Sequence, residues 1–297
     1  MKKFSIPGYF NFSYECYELL ELYKAHPEYF YDDRVIDSSY DFPAGLIWNG
    51  GRVKFCMGGY APDELDGLMK YYFNDTNIKL NHTCTNLLIN DELAKDYMCN
   101  LFMKRYYREQ DSVIIASQAL QKHLYELFPS MKFIFSTTLG ITEPIVVNNI
   151  TKDGVICVLN YNKNNNNEYL KQLEHPELIE VICAEPCVSE CAHRSEHYHL
   201  ISERQLWIGD FTVKETCPYN ASISNFVQIQ SRPHAITNER INELYDMGFQ
   251  YFKISGRSIS SKLWIEIMTY YLVKPEYREN IGLLLINKMK EYGRIDD

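Results

Sequence analysis

The sequence predicts an α/β protein in which eight strands alternate with helices around a closed barrel. Eight short runs of β-branched and aromatic residues recur along the 297 residues, and stretches of helical periodicity separate several of them. Strands that alternate with helices pair in parallel through right-handed crossovers. We therefore expect residues 1–297 to form a single (β/α)8 domain of the TIM-barrel type, with an open, doubly wound sheet as the alternative.

The candidate strands and helices follow each other in regular order. The strands are KFSIPGYF (3–10), RVIDSS (34–39), IKLNHT (78–83), SVIIAS (112–117), KFIFSTT (132–138), GVICVLN (154–160), LIEVIC (178–183) and FQYFKISG (249–256). The clearest helices carry apolar residues three and four positions apart. They span residues 14–24, 92–108, 118–127 and 238–247.

Some segments fit this alternation less well. Residues 45–65 contain glycine-rich loops or a hairpin, and FVQIQ (226–230) fits a ninth strand or a short extended piece. The polar tract NKNNNNE (162–168) is a loop that leads into the helical run YLKQLEH. The connection between the seventh and eighth strands is far longer than usual, and long loops in compact domains tend to be functional.

Composition and charge exclude several classes of protein. Hydrophobic residues make up 46% and charged residues 23%, an ordinary globular balance. The formal net charge of −9 argues against bulk nucleic-acid binding. No apolar run has the length of a signal peptide core or a membrane helix, so we expect a cytoplasmic protein with no membrane partner.

Three of the nine cysteines stand at four-residue intervals in CAEPCVSECAHRSEHYH (183–199). In an α-helix, Cys183 and Cys191 would lie about 12 Å apart, too far for one metal centre. Pro186 argues instead for a wound loop. We therefore expect a cysteine-rich insertion at about residues 183–225, at the C-terminal face of the barrel, in which Cys183, Cys187, Cys191 and Cys217 surround one point.

Four thiolates suit either tetrahedral zinc or an iron–sulfur cluster. Zinc sites usually show C-x2-C pairs, which are absent here, and the radical-SAM spacing C-x3-C-x2-C is also missing. The spacing favours an iron–sulfur cluster, with zinc or no metal as alternatives. Cys99 and Cys157 lie in apolar runs and are expected to be buried, whereas Cys16, Cys56 and Cys84 are further candidate ligands.

A cationic segment follows these cysteines. It contains His193, Arg194, His197 and His199. Arg194 and His197 are the candidate catalytic residues, because they could orient an anionic substrate or relay a proton near neutral pH. The alternative is a solvated loop or the start of a helix.

The segment YFKISGRSISSKLWIEIMTYYLVKPEYREN (251–280) resembles the closing segment of peptidase family U32. Its motif K-I-x-G-R corresponds to Lys253, Ile254, Gly256 and Arg257. The four-cysteine arrangement is similar to that family and its relatives, the oxygen-independent hydroxylases of ubiquinone synthesis and the tRNA uridine hydroxylation proteins. This resemblance covers mainly residues 178–280 and implies a barrel fold and, from the hydroxylases, a [4Fe–4S] cluster held by four cysteines.

The expected function is therefore redox chemistry rather than proteolysis. No convincing Ser-His-Asp or Cys-His arrangement is present. We expect an iron–sulfur enzyme that carries out oxygen-independent hydroxylation, or a related modification, of an anionic acceptor that is a small molecule or is borne on a polymer. The alternative is a non-catalytic binding or assembly subunit, in which a metal or unliganded thiols tie down the long loop and for which a protein partner subunit is a candidate.

Polar residues at the ends of the predicted strands are expected to line the substrate pocket. They are Asn11, Ser38, Asn81, Thr83, Ser117, Ser136, Thr137 and Asn160. Each is alternatively a turn or capping residue. Arg257 is the third candidate catalytic residue: it follows the eighth strand, where barrels often bind phosphate, and its forked guanidinium suits a carboxylate or phosphate of the anionic ligand. A structural salt bridge is the alternative role for Arg257.

Overall fold

Eight parallel strands close into a barrel in the order β1 to β8, and β8 pairs with β1. The computed structural model describes residues 1–51, 62–76, 78–207, 225–256 and 259–296. The strands are β1 (Lys2–Pro7), β2 (Arg34–Asp41), β3 (Lys79–Cys84), β4 (Ser112–Ile115), β5 (Lys132–Phe135), β6 (Ile156–Val158), β7 (Ile179–Cys183) and β8 (Tyr251–Ile254). All eight strands coincide with the runs predicted from the sequence, and the (β/α)8 fold is confirmed.

Helices surround the barrel. They are α1 (Ser13–Ala25), α2 (Pro62–Lys70), α3 (Tyr97–Tyr106), α4 (Gln118–Leu127), α5 (Pro144–Thr151), α6 (Asn167–Leu170), α7 (Arg194–Gln205), α8 (Phe226–Gln230), α9 (Asn238–Asp246), α10 (Ser261–Leu272) and α11 (Arg278–Glu291). None of the helices in the described ranges is long and apolar enough to span a membrane.

Side-chain caps fix where several helices begin. Asp96 accepts a hydrogen bond from the Cys99 backbone N–H at 2.8 Å, so α3 begins later than its periodicity predicts. Asn225 caps FVQIQ by accepting from the Gln228 N–H at 3.1 Å. The expected extended piece at 226–230 is therefore wrong, because this segment is the short helix α8.

The strands separate two apolar clusters. Alternate strand residues such as Leu80, Val181 and Phe252 face outward and join helix residues in the larger cluster. The inward residues form a smaller cluster of Tyr40, Ile114, Ile134, Val158, Tyr161 and Ile182. This alternation decides which side chains reach the interior of the barrel and which contact the helices.

A charged network is buried between the barrel and the helices near β3. The Tyr9 hydroxyl lies 2.8 Å from His82 Nδ1, and His82 Nε2 lies 3.9 Å from Asp111 Oδ2. Arg108 donates to both carboxylate oxygens of Asp111, through Nε at 3.0 Å and Nη2 at 2.7 Å. The Leu80 backbone N–H also donates to this carboxylate at 2.8 Å. The network ties β3 to the start of β4.

Candidate functional site

A polar cavity opens at the C-terminal ends of the strands, and we call it the mouth cavity. It measures about 70 Å³, which is room for several waters or the polar group of a small ligand. Its ionisable side chains are Glu185, Arg194, Lys253, Tyr40 and Tyr198. Its hydroxyl-bearing side chains are Thr83, Thr85, Ser136, Thr137, Thr138 and Ser255. This is the face at which barrels of this type carry their active sites.

Arg194, the first residue of α7, is a buried cation of this cavity. Its side chain is 17% exposed, and the guanidinium carbon lies 4.1 Å from the centre of the Tyr161 ring and 5.0 Å from that of Tyr198. Its Nη2 donates to Glu185 Oε2 at 3.4 Å. Burial alone would lower the pKa of Arg194, but Glu185 and the two tyrosines outweigh burial and raise it. The guanidinium therefore stays charged.

Glu185 is the carboxylate of the mouth cavity, and its side chain is only 4% exposed. The Cys187 backbone N–H donates to its Oε1 at 3.1 Å, and the Ser255 hydroxyl donates to Oε2 at 3.5 Å. The preceding residue, Ala184, has a φ of +58°, in the left-handed region that L-residues seldom adopt. This turn directs the chain from the end of β7 back over the barrel.

The segment that carries the cysteines is a wound loop, as predicted, and contacts from neighbouring loops hold it. The Tyr161 hydroxyl donates to the Val188 carbonyl at 2.8 Å. Asn162 Oδ1 accepts from the Glu190 N–H at 3.0 Å, and Glu190 itself has a φ of +50°. Backbone strain of this kind persists only where surrounding contacts enforce it. The loop is therefore a fixed wall of the mouth cavity.

His234 also holds this loop. Its Nδ1 lies 2.8 Å from the Ser189 hydroxyl, and its Nε2 lies 3.2 Å from the Glu185 carbonyl oxygen. The ring also packs edge-on against Tyr161, with ring centres 4.5 Å apart. Burial lowers the pKa of His234. A neutral imidazole can accept a hydrogen bond from the Ser189 hydroxyl at one nitrogen and donate one to the Glu185 carbonyl at the other.

Lys253 lies at the floor of the mouth cavity, in the middle of β8. Its Nζ is 4.0 Å from the centre of the Tyr40 ring and 3.5 Å from Glu180 Oε2. The Lys253 and Glu180 side chains are 11% and 4% exposed. The Tyr40 hydroxyl donates to the Ile254 carbonyl at 2.8 Å, which fixes its ring beneath the ammonium group. The cavity therefore contains a second buried cation.

The residues predicted to line the pocket divide between two cavities. Thr83, Ser136, Thr137 and Arg194 line the mouth cavity. Ser38 and Asn81 lie lower in the barrel, where Asn81 Nδ2 donates to Ser38 Oγ at 3.0 Å. They line a separate cavity of about 200 Å³ toward the N-terminal ends of the strands, which we call the lower cavity.

Other predicted site residues occupy capping or peripheral positions. Ser117 caps α4 by accepting from the Leu120 N–H at 3.2 Å, and Asn160 caps the following turn at 3.1 Å. Asn11 contacts Asp41 through its backbone N–H at 3.0 Å and is not among the residues that line either cavity. His197 is half-buried on α7, away from both linings. Arg257 lies outside the described residues.

The thiols of the cysteine loop do not converge on one point in the described structure. Cys183 is completely buried in the outer cluster with the helix residues, whereas its neighbour Ile182 and the half-buried Cys187 pack with the inner cluster. Burial raises the pKa of the Cys183 thiol, which disfavours the thiolate that a metal requires. Cys191 is half-buried, and Cys217 lies outside the described residues.

The three described thiols of this set, Cys183, Cys187 and Cys191, therefore do not form part of a metal cluster in their described positions. Within residues 1–51, 62–76, 78–207, 225–256 and 259–296, no group of three or more His, Cys, Asp or Glu side chains is placed to hold a metal ion. Cys16, Cys84, Cys99 and Cys157 are all buried, and Cys56 lies outside the described residues. The [4Fe–4S] cluster and its alternative, zinc, stay predictions.

Sequence reasoning missed Glu185 and did not assign Lys253 or Tyr198 to the site. The sequence does carry a signal for Lys253, because a charged residue between Phe252 and Ile254 in a short apolar strand indicates a lysine inside the barrel. No comparable signal marks Glu185, because its position depends on the left-handed turn at Ala184.

Comparisons with known proteins add no family to this description. No protein-family model matches the chain, and neither the curated proteins nor the solved structures gave a match. The resemblance to peptidase family U32 therefore stays a prediction.

Proposed function

We propose that the protein is an enzyme that binds a small substrate through an anionic group in the mouth cavity, with Arg194 as the recognition residue. The observation that carries this proposal is the placement of Arg194, a largely buried guanidinium that contacts two tyrosine rings at the C-terminal face of the barrel. Burying this cation is costly, and a buried cation at this face is a strong candidate for ligand recognition.

The donors of Arg194 support recognition of a carboxylate or phosphate. Within the described residues its guanidinium makes one hydrogen bond, the 3.4 Å contact with Glu185. A guanidinium has five N–H donors in a planar fork, so most of them remain for a ligand. The contacts with the rings of Tyr161 and Tyr198 restrict the motion of the Arg194 side chain, which lowers the entropy lost on binding.

The other side chains of the cavity suit acid–base chemistry on a bound substrate. Glu185 supplies a carboxylate, and the hydroxyls of Thr83, Ser136 and Ser255 supply hydrogen bonds that orient polar groups. A carboxylate within reach of the substrate can transfer a proton to or from it. The inference of catalysis, rather than binding alone, rests on analogy with other barrels that carry active sites at this face.

The resemblance to peptidase family U32 and its relatives implies a more specific function, which is a redox modification of the same anionic acceptor, such as oxygen-independent hydroxylation. The described thiols do not form the cluster that this chemistry needs, so we derive no step through it. Cys187 does lie close enough to Tyr161 and Arg194 to affect their ionisation. A metal at this wall would therefore border the proposed anion site.

Titration with inorganic phosphate and with acetate tests the anion site without knowledge of the substrate. We expect the parent protein to bind at least one of them by calorimetry and to melt at a higher temperature in its presence. Arg194→Lys keeps the charge but loses the fork, and should weaken binding about tenfold. Arg105→Lys is the matched control, because Arg105 is exposed and pairs with Asp66. Absence of binding by the parent, or equal binding by Arg194→Lys, would overturn the proposal in favour of a non-catalytic assembly subunit.

A further inference from the structure

The interior of the barrel contains two cavities with a charged pair between them. Lys253 lines the mouth cavity above, and Glu180 lines the lower cavity beneath it. Their side chains meet at 3.5 Å between Lys253 Nζ and Glu180 Oε2. The two residues belong to neighbouring strands, with Lys253 paired in register with Ile182, two residues after Glu180. The pair is thus built into the barrel wall itself.

The lower cavity is polar where barrels of this type usually carry branched apolar side chains. Small polar residues line it, namely Ser5, Ser38, Asn81 and Ser112. Its volume of about 200 Å³ holds several waters. Ser5 Oγ is buried and makes no hydrogen bond with any described residue, which is the kind of group that an internal water satisfies. The lower cavity therefore has the size and the polar lining that internal water requires.

Burying the carboxylate of Glu180 costs free energy, and its contact with Lys253 offsets part of that cost. Its side chain is 4% exposed, and its Oε2 makes no hydrogen bond within the described residues. Burial raises the pKa of Glu180, and the ammonium group of Lys253 opposes that increase. An apolar residue at this position of β7 would pack the core without this cost. The presence of a carboxylate at position 180 is therefore best explained by its contact with the Lys253 ammonium group.

We infer that Lys253 is a ligand-contacting residue at the floor of the mouth cavity, and that Glu180 is the positioning residue that holds its ammonium group in place through the 3.5 Å contact. The inference rests on the proposed anion site, which it extends to a second cation. The ring of Tyr40 supports the ammonium group from the side, at 4.0 Å. Arg194 and Lys253 would then contact one oxyanion from the rim and from the floor.

Other charged groups face the two members of this pair. Asp37 on β2 acts on Glu180 and opposes its ionisation. The remaining ionisable residues that line the lower cavity are Lys3, Lys79, Lys132 and Tyr251. Lys79 pairs with Asp37 at 2.9 Å, and Lys3 Nζ donates to the Tyr251 hydroxyl at 3.3 Å. Besides Lys253, the ionisable residues that line the mouth cavity are Glu185, Arg194, Tyr40 and Tyr198.

Reductive methylation of the full chain with 13C-formaldehyde and a borane reductant provides a direct readout of Lys253. The Lys253 dimethylamine resonance is the one missing from a Lys253→Arg sample, and its chemical shift reports both protonation and anion binding. We expect inorganic phosphate to shift this resonance. We also expect Glu180→Gln to lower its titration midpoint by about one pH unit or more, because a neighbouring carboxylate favours the ammonium form. Glu177→Gln is the matched control, since Glu177 is half-exposed and pairs with His175.

The outcomes separate this inference from the proposed function. If Glu180→Gln lowers the titration midpoint of the Lys253 resonance but phosphate does not shift that resonance, the positioning role of Glu180 is supported and the anion site is contradicted. A phosphate response with an unchanged midpoint would support the anion site and overturn the role of Glu180. A Lys253 amine that stays unmethylated in the folded protein would overturn its contact with ligands. If Glu180→Gln does not fold, Glu180→Asp keeps the charge at a greater distance, and a midpoint identical to that of the parent would overturn the inference.

Discussion

The guanidinium carbon of Arg194 lies 4.1 Å from the centre of the Tyr161 ring, and the Tyr161 hydroxyl reaches past it to the Val188 carbonyl at 2.8 Å. One side chain therefore supports the proposed recognition residue and also closes the loop that follows β7. The two functions of Tyr161 use different parts of it, because the ring contacts the cation and the hydroxyl contacts the loop. Substitutions can separate them.

We expect Tyr161→Phe to cost about 1 kcal/mol of unfolding free energy, because it removes one hydrogen bond, and to leave phosphate binding close to that of the parent. Tyr161→Leu also removes the ring beneath Arg194 and should lower both stability and phosphate affinity. Urea denaturation and calorimetry measure the two effects. Tyr169→Phe is the matched control, because the buried Tyr169 hydroxyl makes no hydrogen bond within the described residues. Equal phosphate affinity in Tyr161→Leu and the parent would refute the role of the ring.

The strands of the barrel could be predicted from the sequence, but the faces of some strands could not. LIEVIC (178–183) is almost continuously apolar, as strands buried on both sides are, so it shows no alternation to indicate which residues point inward. The prediction placed Cys183 correctly at the end of β7. Only the structure shows that Ile182 faces the interior and Cys183 faces the helices.

Local patterns also failed where two structures fit the same few residues. FVQIQ alternates like a strand, yet Phe226 and Ile229 also lie on one face of a helix, and the Asn225 cap favours the helix. The pairing of Glu185 with Arg194 depends on the conformation of the whole intervening loop, including the left-handed Ala184. No propensity scale encodes such a contact.

Burial predicts a clear order of thiol reactivity. Cys187 and Cys191 are half-buried, whereas Cys183 and Cys84 are fully buried and burial raises their thiol pKa. We expect iodoacetamide to modify the first pair in the folded protein and the second pair only after denaturation. Peptide mass spectrometry gives the extent of modification at each site. Rapid alkylation of Cys183 under native conditions would contradict the described placement of its side chain.

Iron content discriminates between the cluster predicted from the sequence and the described geometry. If the sequence prediction holds, anaerobically purified protein contains iron and acid-labile sulfide, and Cys183→Ala, Cys187→Ala, Cys191→Ala and Cys217→Ala each lose most of the iron. If Cys183 keeps its described position, Cys183→Ala costs only packing and retains any iron that the parent binds. Cys157→Ala is the control, since Cys157 is a buried core residue. Stoichiometric zinc without iron would select the alternative metal.

The buried network at Asp111 predicts a loss of stability in acid. Burial by itself would raise the pKa of Asp111, but the nearby imidazole of His82 and the hydrogen bonds from Arg108 and the Leu80 N–H outweigh burial and hold the pKa below its ordinary value. A carboxyl with a lowered folded-state pKa stabilises the protein above its unfolded-state pKa, and this contribution disappears as the pH falls through the folded-state value. Asp111→Asn removes the negative charge that balances the half-buried guanidinium of Arg108.

We therefore expect Asp111→Asn to lower the free energy of unfolding at neutral pH by about 3 kcal/mol. The difference in unfolding free energy between variant and parent should narrow as the pH falls below about 4. Urea denaturation of both proteins across this pH range measures the gap. Asp153→Asn, at an exposed position, should leave stability nearly unchanged throughout. A gap between Asp111→Asn and the parent that stays constant with pH would show that Asp111 stabilises the fold through packing rather than through its charge.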